Sequence, residues 1–224
     1  AKEIAEKCDL EVETEVHEGC PAKLMSRLAS HEKYSMVALG YSGRSGLLSR
    51  VGSVTSKVVR LVDKPVLVLV PSHHNDGPVV GCIDFSEQTD KISYWTQFMA
   101  GLQAAEPVYA HVAVPFEMIV AATPNTGGFG LTETVLTRLG GSEEGYVARL
   151  EASVRHRLGI EMECEVDILL GNSPSKAISE FARKKNASLV ILGRHGHNTL
   201  GARIIGSTAE HILEQSHSSV LVLP

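Results

Sequence analysis

The chain has 224 residues, 43% of them hydrophobic, and carries a formal charge of −5 with no basic block. That composition fits a globular protein with a real core. It argues against a general nucleic-acid binder, because a phosphate backbone attracts basic surfaces. Cys8, Cys20, Cys82 and Cys164 form no Cys-x-x-Cys pair, so neither a zinc site nor a redox motif is expected. Scattered thiols suit a reducing cytosol, and a cytoplasmic location is expected. No apolar run reaches the roughly 18 residues of a membrane helix. The charged start AKEIAEKC (1–8) is helical in character and has no signal-peptide core, so no membrane partner is expected.

After that start come an element at LEVETEVHEG (10–19), a helix over 21–33, a strand at SMVALG (35–40), a helix after Gly52 and the apolar run VLVLVP (66–71). A polar, turn-rich stretch follows, with the linker placed at 72–77. VVGCIDF (79–85) reads as a buried strand, with a helix from about Thr89 to Gln103 and a second strand at VYAHVAV (108–114). Residues 115–143 carry Pro, Gly and Thr and read as a variable loop. Val147, Leu150, Val154 and Leu158 recur at helical spacing and predict a helix over 144–158. MECEVDILLG (162–171) is a third strand. Ser173-Pro174 opens a helix to about Lys185, since proline is favoured at the first helical position. SLVILG (188–193) is a fourth strand, a helix starts near Gly206, and SVLVLP (219–224) is the last strand. Strands alternating with helices imply a parallel sheet covered on both faces.

The two halves repeat. MVALGYSG (36–43) matches LVILGRHG (189–196), with Gly40 and Gly193 153 positions apart. Gly52-Ser53 matches Gly206-Ser207 at 154, and EGCPAKLMSRLA (18–29) matches LGNSPSKAISEFA (170–182). A period this long fits tandem domains rather than a solenoid. The expected architecture is α/β, an open parallel five-stranded sheet with helices on both faces, in one complete and one partial copy. Residues 1–71 would be the C-terminal part of a first domain and 78–224 a complete second domain. The partial copy lacks counterparts of the first strand, first helix and second strand, and reads as a fragment of a longer unit.

The chemistry concentrates in Gly193-Arg194-His195-Gly196, then nine residues, then Gly206-Ser207. This pattern lies between a strand and a helix. Glycine permits positive-φ turns and lets backbone N–H groups approach a ligand. A helix start offers unpaired donors and a partial positive charge, so phosphates fit there without a lysine. Ser207 can add a hydroxyl and cap the helix. In open parallel sheets, ligands bind beyond the carboxyl ends of the strands, where Gly193 and Asp84 both sit. Each part alone has a blander reading as a turn or a cap. Their combination, repeated in the chain, points to a phosphate site.

That combination resembles the universal stress protein family, whose nucleotide-binding members carry Gly-x-x-Gly, nine residues, then Gly-Ser or Gly-Thr. The resemblance covers 78–224, including Asp84, AHVAV (110–114), GNSPSKAI (171–178) and the terminal VLVLP. It implies a Rossmann-like nucleotide-binding domain that takes ATP, with or without Mg2+, in stress response or signalling. Gly193, Gly196, Gly206 and Ser207 would hold phosphates and ribose, with help from Thr208. Asp84 and Val112 would line the adenosine pocket, with Leu192 nearby, and Arg194 and His195 belong to the same loop. The resemblance also implies pairing through the last strands, within the chain or in a homodimer. The first copy has eight residues between Gly43 and Gly52 and is not expected to bind.

No Walker-type lysine motif is present. Arg194 and Arg203 could act as cationic clamps, but no base is evident, so binding with at most weak ATPase activity is expected. Two alternatives remain open: an adenylyl-transferring or slow ATP-hydrolysing enzyme, and a partner-binding stress protein without nucleotide. His195 and His197 lack a carboxylate partner, and no metal site is expected.

Overall fold

A computed structural model describes residues 11–41, 52–70, 76–115, 141–159, 164–196 and 204–224. The expected helix at 1–8, most of the linker and most of the 115–143 loop lie outside these residues.

In the N-terminal segment, α1 (Pro21–Ala29), β1 (Val37–Gly40), α2 (Ser53–Leu61) and β2 (Val66–Leu69) follow one another. The C-terminal segment begins with β3 (Val79–Ile83), α3 (Thr89–Gln103), β4 (Pro107–Ala113) and α4 (Glu143–Leu158). It continues with β5 (Glu165–Leu170), α5 (Pro174–Lys184), β6 (Leu189–Gly193), α6 (Ser207–Gln215) and β7 (Ser219–Leu223). Helix α4 is capped at both ends, and α5 opens on a favourable residue. The Ser142 hydroxyl accepts from Gly145 N at 3.2 Å to cap α4, and Gly159 closes that helix in the left-handed region at φ 60°. Pro174 opens α5.

The strands form one sheet in the order β1-β2-β7-β6-β3-β4-β5, so it has seven strands rather than five. The five strands of the C-terminal segment are mutually parallel, as are β1 and β2. The larger sheet arises because β2 and β7 pair antiparallel, with Leu67 opposite Leu221 and Val66 opposite Val222. The chain runs outward from β3 through β4 to β5, then returns to β6 on the other side of β3. A crevice therefore opens between β3 and β6 at their carboxyl ends.

The central strands are apolar runs because both faces are covered: every residue of β3 is buried. On one face, Val58 and Val59 of α2, Ile178 and Phe181 of α5 and Ile212 and Leu213 of α6 pack against Val66, Val190 and Val220. This core is continuous across both segments. On the other face, Ile92 and Met99 of α3 and Val154 of α4 cover Ile83, Tyr109, Ile191 and Leu221.

Two expectations at the N-terminal end are corrected. Residues 11–18 form neither helix nor strand, and Val16 is 94% exposed. Their alternating Glu–Val pattern suits a half-buried strand, but every one of these residues is exposed, so the alternation buries no face here. Helix α1 ends at Ala29 rather than residue 33.

Candidate functional site

The ends of β3 and β4 build one side of the crevice. Asp84 follows β3, and its Oδ1 accepts the Ser86 N–H at 3.0 Å. Phe85 then takes a left-handed φ of 61°, which a bulky residue adopts only under constraint. His111 near the end of β4 supplies the constraint. Its Nδ1 donates to the Ile83 carbonyl at 2.8 Å, and its ring meets Phe85 edge-on at 4.7 Å.

The glycine loop closes the other side. The Arg194 N–H donates to Leu223 O at 2.7 Å, holding the end of β6 against β7. The Gly206 N–H donates back to Arg194 O, also at 2.7 Å, so the start of α6 lies against the end of β6. Gly206 is the N-cap residue, with φ −65° and ψ 146°, and no side chain caps α6. Ser207 is the first helical residue rather than the cap. The N–H groups of Ser207, Thr208 and Ala209 therefore have no intrahelical acceptor, and they sit at the positive end of the helix dipole.

The glycines are needed for close approach, not for handedness. None of Gly193, Gly196 and Gly206 adopts a positive φ. A Cβ on Gly193 would lie 3.0 Å from His195 O, one on Gly196 3.2 Å from Asp84 Oδ2, and one on Gly206 3.3 Å from Arg194 O.

His195 accepts a hydrogen bond from Arg194 Nε at its Nε2, at 3.3 Å. The ring hydrogen is therefore on Nδ1, a buried donor with no partner among the described residues. Burial, and then the neighbouring Arg194 charge, hold its pKa below the ordinary 6.5. Because the folded-state pKa is lowered, the unfolded chain binds the proton more readily. The stability from neutral His195 is present above pH 6.5 and is lost as pH falls toward the lower folded value. An NMR titration should place His195 below 6.5. His195→Gln should flatten the stability profile in that window, and a wild-type pKa above 6.5 would contradict the assignment.

These groups surround a cleft of about 380 Å³, within the range of small-molecule sites. Its floor is apolar: Cys82, Ala110, Val112, Ile178 and Leu192. Its mouth is polar: Asp84, Gly193, Arg194, His195, Gly196, Gly206, Ser207 and Thr208. All ten residues singled out from the sequence thus line one cleft. The Arg194 guanidinium is engaged outside it, on carbonyls of the N-terminal segment. His111, Pro174, Ile178 and Cys82 also line the cleft but were not anticipated. The start of α5 at the same sheet end was a usable signal for Pro174. His111 was masked by strand alternation, which sends it opposite Val112. Burial pushes the Cys82 thiol up to about 12, so it acts as an inert wall. Among the described residues no cluster of three His, Cys, Asp or Glu could hold a metal.

An open α/β sheet with a cleft at its switch point, floored by apolar residues and rimmed by a helix start, defines a doubly wound α/β protein with a cleft where such sheets bind their ligands. The family model of the universal stress proteins matches residues 1–70 and 77–224, and the chain belongs to that family. It is 23% identical over 190 residues to universal stress protein Slr1230 of Synechocystis, covering 84% of this chain and 57% of that one. It is 31% identical over 117 residues to universal stress protein MJ0531 of Methanocaldococcus jannaschii, covering 52% of this chain and 64% of that one. The chain thus spans about three fifths of these relatives' length. The crystal structure of a universal stress protein from Archaeoglobus fulgidus superposes with a TM-score of 0.64 at 24% identity, covering 99% of this chain and 75% of that chain. Among the described residues no helix is long and apolar enough to cross a membrane.

Proposed function

We propose that the cleft binds ATP and that the protein acts in stress response or signalling through nucleotide occupancy rather than fast catalysis. The observation that carries this reading is the uncapped first turn of α6, whose donors face a cleft rimmed by glycines. Phosphates would take the N–H groups of Ser207 and Thr208, which have no intrahelical acceptor, and the His195 Nδ1 hydrogen, which has no partner among the described residues. The apolar floor at Val112, Ile178 and Leu192 would take the base, and Asp84 would take ribose hydroxyls. Mg2+ keeps most of its waters and needs only one or two protein oxygens, which the Ser207 hydroxyl could supply. We also read residues 1–71 and 78–224 as the partial and complete copies of a tandem pair joined at 72–77, in the cytoplasm. Pairing through the last strands within the chain, or in a homodimer, belongs to the same reading.

Slow turnover follows from the side chains. The Arg194 guanidinium is bound to carbonyls of the neighbouring segment, and Asp84 Oδ1 is held by Ser86. A cationic clamp and a free base are both needed for efficient phosphoryl transfer. Calorimetry with ATP should show saturable binding. Phosphate release should stay well below the ~1–10³ s⁻¹ of ordinary enzymes. The reading fails if no heat is detected with ATP, or if turnover in that range disappears on mutation of Gly206.

A further inference from the structure

Hydrogen bonds cross the β2–β7 seam in a mirrored pair. Tyr41 follows Gly40 at the end of β1, and its hydroxyl donates to Glu214 O in the last turn of α6 at 2.7 Å. Arg194 follows Gly193 at the end of β6. Its guanidinium donates to Val62 O at 2.9 Å and Val59 O at 3.4 Å, at the end of α2. All three acceptors belong to the carbonyls that a helix leaves unpaired at its C-terminus. Each donor residue also holds the start of its own following helix: Gly52 N–H donates to Tyr41 O at 3.2 Å, and Gly206 N–H to Arg194 O at 2.7 Å. A third link, the Arg60–Glu210 ion pair, joins α2 to α6 directly.

Arg194 is only 4% exposed. A buried guanidinium must keep its acceptors, and the negative end of the α2 dipole favours it there. Asp63 adds little, since its carboxylate is 3.4 Å away and 85% exposed. The Gly193–Gly196 loop is thereby tied through Arg194 to a helix that lines no part of the cleft.

We infer that the N-terminal segment is a structural half of the nucleotide site. Helix α2 holds Arg194 as a positioning residue, Arg194 fixes the glycine loop, and ligand occupancy and the packing of the two segments form one coupled equilibrium. The ligand in this inference rests on the ATP reading above, while the strut itself rests on geometry alone. The segment that carries the altered loop then has a task that needs no ligand of its own. Coupling of this kind is reciprocal: what α2 does for the loop, ATP in the cleft does for α2.

The test uses the whole chain as wild type, Arg194→Met, Arg194→Lys and Arg60→Ala. Hydrogen exchange is read without ligand in peptides covering 190–196 and 53–62, and ATP affinity is read by calorimetry. Arg194→Met, which keeps length and loses charge-assisted bonds, should speed exchange in both peptides and weaken ATP by about 10- to 100-fold. Arg194→Lys should recover part of both effects, because one ammonium can still meet one carbonyl. Arg60→Ala, outside the cleft, should weaken ATP by roughly two- to fivefold. ATP should slow exchange in 53–62 of the wild type. The inference is overturned if Arg194→Met weakens ATP while exchange in 53–62 stays unchanged, which would make Arg194 a direct phosphate ligand. Unchanged affinity in both Arg194→Met and Arg60→Ala also overturns it. If the wild type binds no ATP, the ligand reading is lost, and unliganded exchange in the variants alone decides the strut. If Arg194→Met does not fold, Arg60→Ala and the effect of ATP on peptide 53–62 decide it.

Discussion

Leu221→Asp is expected to unfold the protein or leave it barely folded at room temperature. Leu221 is fully buried in the centre of the sheet, paired with Leu67 across the β2–β7 seam. It packs in the core on the α3 side, with Ile191 and Met99. Removing the leucine forfeits about 2–3 kcal/mol of apolar burial. Placing an unpaired carboxylate there costs several more, or forces it to stay protonated. Together these rival the ~5–15 kcal/mol that holds a domain of ordinary stability. Leu67→Asp should be milder. Leu67 is 8% exposed, and its neighbour Leu69 on the same face is 48% exposed, so a carboxylate there lies near water. Urea melts should give a large midpoint drop for Leu221→Asp and a smaller one for Leu67→Asp, with sedimentation reporting any change of mass. If both variants melt and sediment like the wild type, the seam does not hold the sheet together.

The contrast between these two leucines shows where sequence reading reaches its limit. VVGCI, LVIL and VLVL could be read as strands because a parallel sheet covered on both faces demands uninterrupted apolar residues. The glycine loop could be read because its spacing, its strand before and its helix after are all local. Asp84 and Val112 joined it in one cleft because strand ends in such a sheet converge at the switch point. What depends on distant partners could not be read. Arg194 stands in the loop and looks like a phosphate clamp, yet its acceptors at Val62 and Val59 lie 132 and 135 positions away. His111 likewise gains its place from the Ile83 carbonyl and the Phe85 ring, neither of which its own strand pattern reveals. At 11–18 the alternation was real, yet the valines are as exposed as the glutamates and no strand forms. The glycines were singled out for left-handed turns, but Gly193, Gly196 and Gly206 have none, and what marks them is the tight contact a Cβ would make.

That last distinction makes the loop glycines a clean experiment. Gly206 has a backbone conformation open to any residue, φ −65° and ψ 146°, and Gly196 is also outside the left-handed region. Valine at either position strains no backbone angle, so its cost to the fold is the crowding alone, about 1–3 kcal/mol, which leaves the protein folded. The ligand should respond very differently. At Gly206 the new Cβ sits 3.3 Å from Arg194 O, and its methyls would fill the mouth where phosphate must meet the α6 donors. At Gly196 the Cβ meets Asp84 Oδ2 at 3.2 Å, so the branched side chain displaces that carboxylate. We expect ATP affinity to fall at least about 100-fold in each, which is ~2.7 kcal/mol. Gly206→Asp should separate the two quantities further. Aspartate is a good N-cap, and its charge suits a helix start, so these gains should offset the Cβ crowding and keep the melting point near that of the wild type. The same carboxylate occupies the anion position and repels phosphate, so ATP binding should vanish. A variant as stable as the wild type that no longer binds cannot be explained by damage to the fold. If Gly206→Val, Gly196→Val and Gly206→Asp all bind ATP as the wild type does, the start of α6 is not where the phosphates lie.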